Sequence, residues 1–367
     1  MKTGCLLLTH AGNRIAGGRH YCPGSNHLIR KTGLVFMLSV TMLCFLVSCR
    51  KDAYKINVSA VDVDLKLLRL EKDLFGPDPG EVSGNTGELI EKYRDFLQMF
   101  SLVINAGNIH DSSFAGILNT FCTDKLNNEV YDSVLKYYPD IESLEQELED
   151  AFRHYLWYFP GKKVPSVFTC ISGFNSSLII SDTIIGIGLD RYLGGECIYY
   201  RHLGIYSYMA KRMNSYNIVP DCIYGWALTE WDYDSTGYKG DNLLNRMIHE
   251  GKLRYFGKCM MPGTNDTLLL GFSRGQMEFC RDNERQMWQY LVSNNLLFSS
   301  DQLVIRKLLG EAPFTGYFTS ESPGRACAWI GFRIVESYMM REKGRRLGDL
   351  MDNTNVQGIL EGAKYDP

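Results

Sequence analysis

The sequence predicts an α+β fold, mostly helical, with a small antiparallel sheet set before the central helices. Two kinds of periodicity carry this reading. Residues 88–104 place Leu89, Tyr93, Phe96, Leu97, Phe100 and Val103 on one helical stripe, and residues 141–159 do the same with Leu144, Leu148, Phe152, Tyr155 and Leu156. Beyond Lys163 the pattern shortens to β-rich runs at 164–171, 177–180 and 184–189, punctuated by Gly, Asn and Asp. Helical patterns return at 206–212, 221–232, 241–256, 276–294 and 328–341, with no internal repeat and no low-complexity tract.

In chain order, residues 50–55 read as a linker, and the alternation at 56–61 predicts a strand. Gly76-Pro77-Asp78-Pro79-Gly80 breaks the chain, and Pro160-Gly161 stops the second amphipathic helix. The expected organisation is a mainly helical lobe over 56–160 and an α+β lobe over 161–367, in keeping with roughly 150 residues per domain.

The N-terminus has a different character. Arg30 and Lys31 precede an apolar, uncharged stretch at 34–47, the charged and hydrophobic regions of a signal peptide. Ser39, Thr41 and Ser48 interrupt it, and Arg50, Lys51 and Asp52 end it, short of the about 20 apolar residues a membrane-spanning helix needs. Leu46-Val47-Ser48-Cys49 has the form of a bacterial lipobox, which predicts cleavage after Ser48 and lipidation of Cys49. Residues 1–48 are then signal peptide and 49–55 the lipidated N-terminus and linker. Residues 1–29 are long for the charged region, so a translation start downstream of Met1 fits as well. Each buried methylene of acyl chain contributes about 0.8 kcal/mol, so several palmitate-like chains on one cysteine anchor the protein durably. The expected location is the cell envelope, on the periplasmic or outer surface of a membrane.

Composition excludes one large class of partners. The net charge is -3 and no basic run exceeds that at 343–346, so nucleic acid binding is not expected. Cys122, Cys170, Cys197, Cys222, Cys259, Cys280 and Cys327 form no C-x-x-C pair and read mostly as small buried hydrophobes, with room for one disulfide.

Three local patterns bear on chemistry. His249-Glu250 opens an H-E-x-x-H zinc-peptidase motif whose second histidine is replaced by Leu253. Two histidines four apart share a helix face and reach one ion, and a catalytic zinc takes three protein ligands, so the motif is incomplete. Glu284 stands where a third ligand would, and His154 or His202 could supply the missing one. Without them, Glu250 and Arg254 pair on the helix surface, and His249 packs over Leu253 and Phe256. Gly271-Phe272-Ser273-Arg274-Gly275 matches G-x-S-x-G, but all seven histidines precede Ser273, against the chain order of that hydrolase fold. Ser273 with Gln276 reads instead as a capping box. Residues 312–340 are rich in aromatics, among them Phe314, Tyr317, Trp329 and Phe332, and suit either a core or a binding groove.

Together, the lipobox at Cys49 and the segments 168–194, 204–220, 247–256, 283–288, 322–325 and 329–331 make the chain similar to the gliding motility-associated lipoprotein family GldB of the Bacteroidota. The resemblance implies a non-catalytic lipoprotein associated with envelope proteins of a gliding or secretion apparatus. It also implies a scaffold like that of zinc peptidases of the zincin (peptidase MA) type with a decayed metal motif. The expected function is a membrane-anchored interaction or scaffold protein without cofactor. The alternative is a divergent zinc metallopeptidase using His249, Glu250 and Glu284.

Overall fold

The computed structural model describes residues 54–76, 84–311, 317–341 and 344–367. The expected signal peptide, the expected lipidation site at Cys49 and the aromatic residue Phe314 lie outside these residues. Residues Tyr54–Pro367 form one compact unit, in which helices surround a four-stranded sheet of order β1 (Leu67–Arg69), β2 (Ser166–Cys170), β4 (Ile184–Gly188) and β3 (Leu178–Ile180).

The sheet is mixed, which corrects the antiparallel expectation. β1 pairs parallel with β2 and β2 parallel with β4, and only β3 pairs antiparallel with β4. Every residue of β4 is buried, as is β2 beyond Ser166. Parallel strands covered on both faces read as unbroken apolar runs, and Ile184-Ile185-Gly186-Ile187 is such a run. The strand expected at 56–61 does not form. The alternation that organises the segment lies further on, with Val63, Leu65 and Leu67 buried and Asp62, Asp64 and Lys66 exposed, and it reaches a ladder partner only at β1.

The N-terminal helices α1 (Leu70–Phe75), α2 (Thr86–Val103), α3 (Phe114–Thr123), α4 (Lys125–Tyr137) and α5 (Glu142–Tyr158) follow β1. α2 buries its expected stripe against the sheet, where Phe96 stacks on Phe168 of β2 with ring centroids 4.4 Å apart. After β4 come two short helices, α6 (Ile198–His202) and α7 (Ser207–Ala210), and then α8 (Ile218–Glu230), which covers β3 and β4. Asp190, fully buried just after β4, accepts hydrogen bonds from the backbone N–H groups of Ser172 and Phe174 and from the Ser172 hydroxyl, which holds the turn after β2 in place.

The central element is α9 (Leu243–Met260), begun by Asn242, whose side chain accepts from Asn245 N–H at 2.9 Å. Its neighbours are α5, α8 and, along most of its length, α14 (Ala326–Arg341). α9 and α14 cross at Gly251 and Gly331. A Cβ on Gly331 would stand 1.9 Å from Met247 O, and one on Gly251 would stand 2.3 Å from Gly331 O. Between these two helices the chain forms α10 (Asp266–Leu270), α11 (Arg274–Asp282), α12 (Glu284–Ser293) and α13 (Gln302–Leu309), and it ends with α15 (Leu347–Met351) and α16 (Val356–Ala363). The single helix expected at 276–294 is two, broken at Asn283, whose side chain donates to Phe279 O. The seven cysteines from Cys122 to Cys327 are free and, except for half-buried Cys197, buried.

Candidate functional site: an arginine-lined cleft beside the central helix

Adjacent residues on a helix point about 100° apart, and α9 sends His249 and Glu250 into different surroundings. His249 is buried in an aromatic cage, its ring edge-on to Tyr233 and Tyr238 at 5.2 and 5.7 Å. Its Nδ1 lies 3.2 Å from the Tyr238 hydroxyl, and its Nε2 has no partner among the described residues. Burial pushes its pKa down to about 4. Both tyrosines come from outside α9, so the helix pattern alone does not reveal them.

Glu250 instead accepts from the Tyr224 hydroxyl at 2.9 Å, and its Oε2 lies 3.6 Å from Arg254 Nη2. The expected i,i+4 pair therefore exists, but Arg254 is buried rather than on the surface. Its guanidinium lies 3.7 Å over the Tyr224 ring and donates to Leu269 O at 2.8 Å. Glu284 is elsewhere, at the start of α12, where it accepts from Trp329 Nε1, Arg333 Nε and the Tyr365 hydroxyl, the last at 2.6 Å. Arg333 also pairs with Glu336, which accepts from the Tyr54 hydroxyl at 2.8 Å. This network links the first and last parts of the described chain through α14. His154 is bonded through Nδ1 to Asp150 O, and His202 is exposed. Among the described residues no three His, Cys, Asp or Glu side chains are grouped to hold a metal ion. Ser273 makes the reciprocal capping box with Gln276 at the start of α11.

The Arg254 side of α9 faces a cleft of about 910 Å³. Its walls come from β3, α8, the turn at Gly271-Phe272-Ser273 and the N-terminus of α14, and six cationic side chains line it against two carboxylates, Asp221 and Glu311. Arg212 Nη2 donates to Asp221 Oδ1 at 3.3 Å, and Tyr192 donates to Asp221 Oδ2 at 3.1 Å. Burial raises the pKa of Asp221, with Arg212 opposing the shift. Arg325, with φ +59°, precedes α14 and donates through Nη2 to Gly271 O at 3.1 Å. Burial, with Arg254 and Arg212 nearby, brings its pKa down to about 10. In the sequence, Arg254 stands out only as half of a helix pair and Arg325 only as the end of segment 322–325. Their separation along the chain, with Arg212 further off still, leaves no spacing that would announce the cluster.

The family profile described as gliding motility protein GldB matches residues 51–367. The chain belongs to the GldB family. Membership links it to gliding motility and to the lipoproteins of the cell envelope. Neither the curated proteins nor the solved structures compared with the chain gave a match. Among the described residues, no helix is long and apolar enough to cross a membrane.

Proposed function

We propose that this GldB-family protein is a non-catalytic envelope lipoprotein, anchored through Cys49, that holds a protein component of a gliding or secretion apparatus in the cleft beside α9. The carrying observation is the separation of the residues a zinc peptidase would need together. His249 lies in its tyrosine cage, Glu250 bonds to Tyr224 at the Arg254 side of α9, and Glu284 is occupied by Trp329, Arg333 and Tyr365. The cleft itself is lined by arginine and tyrosine, the side chains that most often anchor protein partners.

The test places a photo-crosslinking residue at Tyr216 or Leu228, both exposed cleft positions, and at the exposed positions Leu102 and Phe298 as controls. In living cells the cleft positions are expected to give an adduct with a discrete envelope protein and the controls none. Equal adducts from all four positions, or none from the cleft, would overturn the reading. So would stoichiometric zinc in the purified protein together with a hydrolytic activity abolished by Glu250→Gln.

A further inference from the structure

We propose that the cleft seats a carboxylate of a bound peptide between Arg212 and Arg325, in the place now held by the protein's own Glu311. This deepens the reading above and rests on the cleft being the partner-binding surface. Arg212 Nη1 donates to Glu311 Oε1 at 3.0 Å, and Arg325 Nη1 lies 3.6 Å from the same oxygen. The Glu311 side chain is 60% exposed and that of Arg325 is 13% exposed, so a carboxylate reaches a largely buried guanidinium from the solvent side. An exposed carboxylate gains little from such a pair, which makes Glu311 a weak and displaceable occupant.

Two features make the seat a built one. At Gly271 an added Cβ would stand 2.8 Å from both Arg212 Cζ and Arg325 Nη2, so only a residue without a side chain lets the two guanidinium groups converge there. Arg254, 5% exposed and lining the same cleft, has an Nε without a partner among the described residues, as does Arg212. Asp221 and Glu250 already face Arg212 and Arg254, and an anion between Arg212 and Arg325 balances the third of these neighbouring arginines. The guanidinium fork matches the planar carboxylate that Glu311 already presents. Other parts of the lining are apolar and aromatic: Leu178 and Ile180 of β3, Met209, Leu228, Tyr208 and Tyr216. A peptide with an apolar side chain beside its carboxylate satisfies both kinds of surface.

Full-length protein in detergent is titrated, by fluorescence anisotropy, with three labelled hexapeptides of leucine and alanine. One has a free C-terminal carboxylate, one is its C-terminal amide, and one is the amide with a single internal aspartate. At least one carboxylate peptide is expected to bind about 10-fold or more tightly than the neutral amide, the scale of one charge-assisted hydrogen bond. Preference for the free acid assigns the seat to a chain terminus, and preference for the aspartate peptide assigns it to a side chain. Arg212→Gln removes the preference. Glu311→Gln, at an exposed position, tightens binding several-fold, as vacating an occupied seat requires. Equal binding of all three peptides, no binding of any peptide, weaker binding by Glu311→Gln, or inorganic phosphate binding more tightly than the peptides would overturn the carboxylate seat. If cleft crosslinks to an envelope protein persist in that event, the cleft remains the docking surface and only its ligand chemistry is wrong.

Discussion

Replacing Gly331 by alanine adds one methyl group at the crossing of α9 and α14, with a large expected effect. The new Cβ would stand 1.9 Å from Met247 O, about 1.5 Å inside an ordinary van der Waals contact, and the obstacle is backbone rather than a flexible side-chain end. Relief requires the two central helices to part. A gap of 0.5–1 Å already forfeits a quarter to a half of the dispersion attraction across an interface. Overpacking typically costs about 1–3 kcal/mol, and this site belongs at or above the upper end. Gly116 in α3 supplies the control, since a Cβ there meets nothing within 4 Å. Alanine at that exposed helical position is expected to stabilise by roughly 0.5–1 kcal/mol through helix propensity. The assay is urea unfolding, in which a loss of 3 kcal/mol moves the midpoint down by about 1 M at a slope of roughly 3 kcal/mol per M. The same substitution should therefore shift stability in opposite directions at the two sites. A cost below about 1 kcal/mol for Gly331→Ala, or equal signs at both positions, would refute the close-crossing argument.

Two further outcomes follow from buried polar groups. His249 ionises at about 4 when folded and near 6.5 when free, so below pH 6.5 the unfolded chain binds a proton that the folded chain refuses. Its contribution is full above 6.5 and falls by up to about 3 kcal/mol as the pH drops to 4. Asp190, raised to about 6 by burial, works in the opposite sense over the same window, so the His249 effect is read as the difference between the stability profiles of the wild type and His249→Leu. Parallel profiles would remove His249 from the account. Glu284→Ala leaves the Trp329 and Tyr365 donors without their acceptor and should cost about 2–4 kcal/mol of stability by urea unfolding, with Tyr365→Phe costing about 1 kcal/mol. A change under 0.5 kcal/mol for Glu284→Ala would show that water replaces the carboxylate at no cost.

The parts of the fold that depend on local periodicity were legible. α2 and α5 emerge within two residues of the expected bounds because each carries one apolar stripe against one partner surface. The first strand was not legible. Its ladder partner is about a hundred residues away, and the alternation from Val61 to Leu67 overlaps a similar one at 56–61. Strand direction failed for a related reason. The apolar run at Ile184–Ile187 suits one strand of a small antiparallel sheet, while its burial comes from helices far apart in sequence. In the site, spacing singled out His249, Glu250 and Glu284, which the fold disperses. The Arg212, Arg254 and Arg325 cluster depends instead on Gly271 bringing three distant segments together, and no local pattern encodes that.

The network from Tyr54 through Glu336, Arg333 and Glu284 to Tyr365 has a mechanical consequence. Force applied at the N-terminal side of the folded unit enters α14 within one hydrogen bond, and α14 is itself fastened to the last residues of the chain. Loosening either end of the described chain therefore removes a partner from α14 and weakens the hold on the other end.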